Sequence, residues 1–252
     1  MYLFITVERK QYNIMSTDDH SESNKKANIT CVPPILICHY AKLTERKKHL
    51  LSQFENHNIT NYEFIEQFDR DNIFDDDRRI FNENVSDMLA AVHLTHIHAY
   101  KEIENKYEHA LIVEDDIILT DNFVNKLQEY LTQLPEDYDM LFIGDGCNHH
   151  IARDKLISNV NVYKRCLFSN PACNEEFASR CADSYMVSKK CAIKLNKYIT
   201  NLISKISSPI DWWLNDAAKD NDLNVYWAEP TIVTQGSQRG LFSSSIGNCS
   251  NW

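Results

Sequence analysis

Residues 110–119 read ALIVEDDIIL, so Glu114, Asp115 and Asp116 stand side by side inside a dense apolar run. Such a run is the pattern of a buried strand. Burying an unpaired carboxylate costs several kcal/mol, so three in a row need an explanation. Either the acids sit past the strand end in solvent, or they hold something positive. Strand alternation would put Glu114 and Asp116 on one side and Asp115 on the other. Two carboxylates aimed at one point suit Mg²⁺ or Mn²⁺, hard cations that take oxygen ligands and leave positions open for phosphate.

Three other groups could do chemistry. In HLTHIHAY, His93 and His96 are one helical turn apart. A zinc site would need a third ligand, H-E-x-x-H is absent, and His96 falls on the apolar stripe, where a hydrogen-bonded core histidine is expected. The cysteines at 166, 173, 181 and 191 lack zinc-knuckle spacing. In SPIDWWLND (208–216), Asp211 stands where a helix would begin, followed by Trp212 and Trp213. A carboxylate beside aromatic faces can hold a sugar ring; an N-cap aspartate with core tryptophans gives the same letters.

The elements that must position these residues follow from periodicity. PPILICHY (33–40) reads as a strand, LTERKKHLLSQFENH as a helix with Leu43, Leu50, Leu51 and Phe54 on one stripe, and NYEFIEQF (61–68) as a second strand. This β-α-β opening favours a sheet covered by helices. A helix is predicted over 84–105, then the ALIVE strand, then a helix capped by Asp121. YDMLFIG (138–144) is a strand, and 145–180 is irregular. YMVSKKCAIKLNKYI (185–199) reads as a strand running into a helix. Pro209 precedes a helix, NVYWAEPTIV (224–233) is a strand interrupted by Pro230, and QGSQRGLFSSSIGN is loop. The polar stretch 16–29 places a flexible or extended segment over 1–32, with the folded domain at 33–252.

Composition narrows the function. The chain has 252 residues and a formal net charge of −10, with no basic run, which argues against nucleic-acid binding. Only five glycines occur and none forms a dinucleotide or P-loop motif, so any nucleotide is held another way. No stretch approaches a membrane span and the N-terminus is unlike a signal peptide, so a cytoplasmic location is expected. Eight cysteines without C-x-x-C spacing (Cys31, Cys38, Cys147, Cys166, Cys173, Cys181, Cys191 and Cys249) are then expected as thiols.

Taken together, the pieces resemble glycosyltransferase family 25, which includes bacterial lipooligosaccharide galactosyltransferases and collagen hydroxylysine galactosyltransferases. The resemblance runs colinearly over roughly 33–247. ILICHYAKLTERKKHL is similar to the family's opening strand and Arg-containing loop. AVHLTHIHAYKEI resembles its Cys-x-x-Ser-His helix, with Thr95-His96 in place of Ser-His. ALIVEDDIIL matches its signature acidic strand. ADSYMVSKKCAIKL resembles its Ala-Tyr segment, with Cys191 where glycine is usual. PIDWWLND and EPTIVTQGS…SSSIG resemble its Pro-x-Asp and C-terminal Gln…Ser-x-Ile segments.

The resemblance implies a GT-A-type α/β fold, a mixed, mostly parallel sheet flanked by helices. It implies an inverting hexosyltransferase that uses Mn²⁺ (or Mg²⁺) and a UDP-hexose donor, most simply UDP-galactose. The acceptor would be a glycan or a collagen-like protein. On this reading Asp116 ligates the metal, Glu114 faces the ribose or a metal-bound water, and Asp115 supports them. Asp211 is the general base, with Asp183 and Asp216 in reserve, and Tyr40, Arg46 and Asp69 contact the nucleotide. Two alternatives share these features: a metal-dependent nucleotidyl or phosphoryl transferase, and a non-catalytic sugar-binding or zinc-stabilised module.

Overall fold

The apolar runs become strands that are covered on both faces. The computed structural model describes residues 32–71, 73–146, 148–165 and 179–243. The expected N-terminal segment, apart from Val32, lies outside these residues, as do Cys31, Cys147, Cys166, Cys173 and Cys249. In chain order the elements are β1 (Ile35–Cys38), α1 (Thr44–Asn56), β2 (Tyr62–Ile65), the single turn α2 (Asp75–Arg78), α3 (Asp87–Lys106), β3 (His109–Glu114), β4 (Ile117–Leu119) and α4 (Phe123–Gln133). Then come β5 (Met140–Phe142), β6 (Val162–Lys164), β7 (Ser184–Ser188), α5 (Lys189–Thr200), α6 (Ile210–Asp220), β8 (Val225–Ala228) and β9 (Val233–Gln235).

The main sheet has the order β2-β1-β3-β7-β5-β8-β6. The β2–β1, β1–β3 and β5–β8 pairs are parallel. Strand β7 runs antiparallel between β3 and β5, and β6 antiparallel to β8. Alternate side chains leave opposite faces. Leu36, Ala110 and Ile112 join Leu94, Tyr100, Leu195 and Trp213 of α3, α5 and α6. Ile35, Ile37, Leu111 and Val113 join Leu50, Phe54, Phe123 and Leu127 of α1 and α4. Two covered faces explain why these strands read as continuous apolar runs rather than alternating ones. This is the mixed, mostly parallel, helix-flanked sheet expected of a GT-A-type fold.

Two helix starts are fixed by serine: Ser86 Oγ accepts from the Leu89 amide at 3.3 Å, and Ser188 Oγ from the Cys191 amide at 3.2 Å. Helix α4 departs from expectation. Its cap position is Asn122, not Asp121, and it makes no side-chain capping bond. The turn closes through the backbone instead, Phe123 N–H donating to the Thr120 carbonyl at 3.0 Å. The stretch 224–233 is two strands, not one: β8 lies in the main sheet, while β9 pairs antiparallel with β4 in a separate ribbon. Gln235, expected in a loop, is therefore strand. The irregular 145–180 region also contributes β6. Among the described residues no helix is long and apolar enough to cross a membrane.

Candidate active site

Sheet topology brings the acids to one edge. Strands β1, β3, β5 and β8 all end there, and β7, running the other way, begins there. The triplet begins at the last residue of β3, Asp183 immediately precedes β7, and Asp145 follows β5. These three strands are adjacent, about 4.8 Å apart by sheet geometry. The Glu114 amide donates to the Asp183 carbonyl at 2.9 Å, which ties the first two directly. This is the edge where open α/β sheets bind ligands.

Strand β3 stops at Glu114, and Asp115 and Asp116 form the turn into β4. The three carboxylates still separate by partner. Asp115, 5% exposed, is gripped on both oxygens: Arg46 Nη1 donates to Oδ1 at 2.7 Å and His39 Nδ1 lies 2.7 Å from Oδ2. Glu114 accepts from Gln235 Nε2 at 2.8 Å. Asp116 Oδ2 accepts from the Ser237 amide at 3.3 Å, while its buried Oδ1 has no hydrogen-bond partner among the described residues. Asp145 Oδ1 and Asp183 Oδ1 are likewise buried and unpartnered.

Crowded carboxylates removed from water favour protonation. Loss of solvent, then the charges of Asp116, Asp183 and Asp115, hold Glu114 well above the carboxylate range. Asp183, fully buried, is pushed up to about 8 by burial, with Asp145 and Asp116 adding repulsion. A cation would relieve both effects, and the orphaned oxygens are the groups to meet it. Among the described residues no three His, Cys, Asp or Glu side chains stand close enough to form a metal site by themselves. Any cation held here would need further oxygens from water or a ligand.

Beside the triplet lies an open cleft of about 570 Å³, lined by Cys38, His39, Tyr40, Arg46, Phe68, Arg70, Met88, Thr95, Glu114 and Asp115 among others. Tyr40 is there, its hydroxyl donating to Asp71 Oδ2 at 2.7 Å and its ring 4.0 Å from the Arg70 guanidinium. Arg46 is there too, buried and engaged by Asp115 and by the Ser243 carbonyl at 2.7 Å. Asp69 is not a lining residue; its Oδ1 accepts from the Asp71 amide at 2.9 Å.

Asp211 lies in the first turn of α6, half-buried, and burial raises its pKa. It is not the N-cap, which is Pro209. Ser179 anchors this helix start, its hydroxyl donating to the Asp211 carbonyl at 3.0 Å and its amide to Asn215 Oδ1 at 2.9 Å. The two tryptophans divide: Trp213 is in the core, edge-on to His93, while Trp212 is 49% exposed. Asp216 is exposed on the same helix.

The histidines are structural. His93 Nε2 meets the Ser208 carbonyl at 2.8 Å and His96 Nδ1 the Tyr185 hydroxyl at 2.8 Å, both rings buried. Cys38 and Cys191 are buried thiols. Two site features escaped the sequence reading. Asp145 carries the same signal as the triplet, an apolar strand running into an acid (YDMLFIGD), and could have been found by it. The buried Arg180–Glu229 pair, 2.6 Å apart, joins residues too distant in sequence to leave a local signal.

Comparisons with known proteins bear on this arrangement. The protein named "Putative glycosyltransferase R655" of Acanthamoeba polyphaga mimivirus is 27% identical over 125 residues, which is 45% of this chain and 38% of the relative. This chain therefore spans less than half of that relative's length. A crystal structure of a mutant Drosophila β-1,4-galactosyltransferase 7 with manganese, UDP-Gal and xylobiose aligns over 88% of this chain and 77% of its own, with TM-score 0.44 and 12% identity. The profile of "Glycosyltransferase family 25 (LPS biosynthesis protein)" matches residues 32–213, from the first strand through the start of α6. With that much of the folded chain matched, the protein belongs to glycosyltransferase family 25.

Proposed function

We propose that this chain is a divalent-metal-dependent, inverting glycosyltransferase that moves a hexose, galactose first, from a UDP-sugar to a hydroxyl of a glycan or of hydroxylysine in a collagen-like protein. The observation that carries the reading is the convergence of Glu114–Asp116, Asp183 and Asp145 at one sheet edge beside an open cleft.

Asp116, with Glu114, would hold Mn²⁺ or Mg²⁺, since Asp116 Oδ1 is buried and unpartnered among the described residues. The bound ion supplies neutralisation of charge developing on the UDP leaving group. Asp115 does a different job: clamped by Arg46 and His39, it fixes the turn that aims its neighbours. Gln235 orients Glu114 in the same way. Tyr40 and Arg70 offer a flat, polar wall to the nucleoside in the cleft. Asp211 is the general base, because it is partly exposed and its raised pKa strengthens it as a proton acceptor. Asp183, fully buried, is the reserve for that role.

The test is a screen of UDP-sugar cleavage with Mn²⁺, followed by transfer to candidate acceptors. Asp116→Ala is expected to abolish both while leaving the circular dichroism spectrum intact. Full activity in that variant would refute the proposal.

A further inference from the structure

The loop after β9 is built directly onto the acidic triplet. The Gly236 amide donates to the Asp116 carbonyl at 2.6 Å and the Ser237 amide to Asp116 Oδ2 at 3.3 Å. A Cβ on Gly236 would stand 2.9 Å from the Asp116 carbonyl oxygen and 2.8 Å from the Phe242 ring, so glycine is what allows this approach. The same loop carries Arg239, whose Nη2 donates to Asp145 Oδ2 at 2.9 Å.

Arg46 and Arg239 both stand beside the acids, and they differ. Arg46 is 6% exposed and held by Asp115 and the Ser243 carbonyl. The Arg239 side chain is 58% exposed, although the Asp145 side chain it touches is 5% exposed. Arg239 thus places positive charge at the solvent-facing rim of a cluster of buried acids. A diphosphate approaching Asp116 and Asp145 would meet carboxylates, and a guanidinium fork is well matched to phosphate oxygens.

We infer that Arg239 binds the diphosphate of the donor, and that its contact with Asp145 holds it ready at the rim of the site. This rests on the reading of the donor as a nucleoside diphosphate sugar. The contact uses Nη2, and a guanidinium has five N–H donors, so phosphate can be met without rebuilding the loop.

The experiment compares uridine and UDP binding by calorimetry, with Mn²⁺ present, in wild type, Arg239→Gln and Arg239→Lys. Arg239→Gln should weaken UDP roughly tenfold or more, the scale of a lost charge-assisted bond, and leave uridine unchanged. Arg239→Lys should fall between. Equal weakening of uridine and UDP would overturn the inference in favour of a purely structural loop, and so would unchanged UDP affinity. Failure of the wild type to bind UDP would instead bring down the donor reading, and this inference with it.

Discussion

Replacing Arg46 with Met tests whether the triplet is held in place by a buried ion pair. Arg46 and Asp115 are 6% and 5% exposed and meet at 2.7 Å. At an effective dielectric of about 20 their gross attraction is about 6 kcal/mol, most of it offset by desolvation. Removing one partner leaves the other buried and uncompensated, which typically costs about 3–5 kcal/mol. His39 still holds the second oxygen of Asp115, so we place the loss near 3 kcal/mol. At about 2–4 °C per kcal/mol for a domain of this size, the melting temperature should fall by roughly 6–12 °C. Asp115→Asn should also destabilise, leaving Asp116, 3.8 Å from Arg46 Nη1, as the remaining anion. The double variant should be less destabilised than the sum of the singles by at least about 1 kcal/mol. Urea denaturation of the chelator-treated protein measures all three. Additivity within about 0.5 kcal/mol, or a shift under about 2 °C for Arg46→Met, would refute the argument.

Gly144→Ala would put a Cβ 1.9 Å from Asp183 Oδ2 and 2.5 Å from Ser184 Oγ. It is expected to cost about 1–3 kcal/mol in urea denaturation and to reduce transfer by displacing Asp183; wild-type values for both would count against it. His93 and His96 are buried neutral, and burial lowers their pKa from 6.5 to about 4 and about 3. A depressed folded pKa means the native state binds fewer protons than the unfolded one, so their contribution is present above pH 6.5 and lost as pH falls from 6.5 towards 4 and 3. Each adds a slope of at most about 1.4 kcal/mol per pH unit, so His96→Gln should flatten the acid limb of the stability profile by up to that amount. An unchanged limb would contradict the assignment.

Legibility in the sequence tracked how local each determinant is. ILIC and ALIVE are unmistakable because both sheet faces are covered, and the serine-capped helices follow from short-range rules. Glu114–Asp116 stood out because acids interrupt an apolar run. The pairing of β4 with β9 was not legible: each is three residues long, and they are separated by more than 110 positions. Without that ribbon, the contact of Gln235 and Gly236 with the triplet was hidden too. Alternation assigned Asp115 to a side of its own, and it does take partners of its own, but through a turn rather than strand pleating. Asp121 reads as a cap by residue type, yet the backbone of Thr120 closes that turn.

On the proposed function, Asp116 acts through a cation that donor phosphates help to bind. The most direct test is the melting temperature of wild type and Asp116→Asn with UDP, Mn²⁺, both or neither. UDP should raise it only when Mn²⁺ is present, by several degrees at a large excess over the dissociation constant, and Asp116→Asn should lose that response. An equal UDP shift in the presence of chelator, or a full shift in Asp116→Asn, would contradict the account.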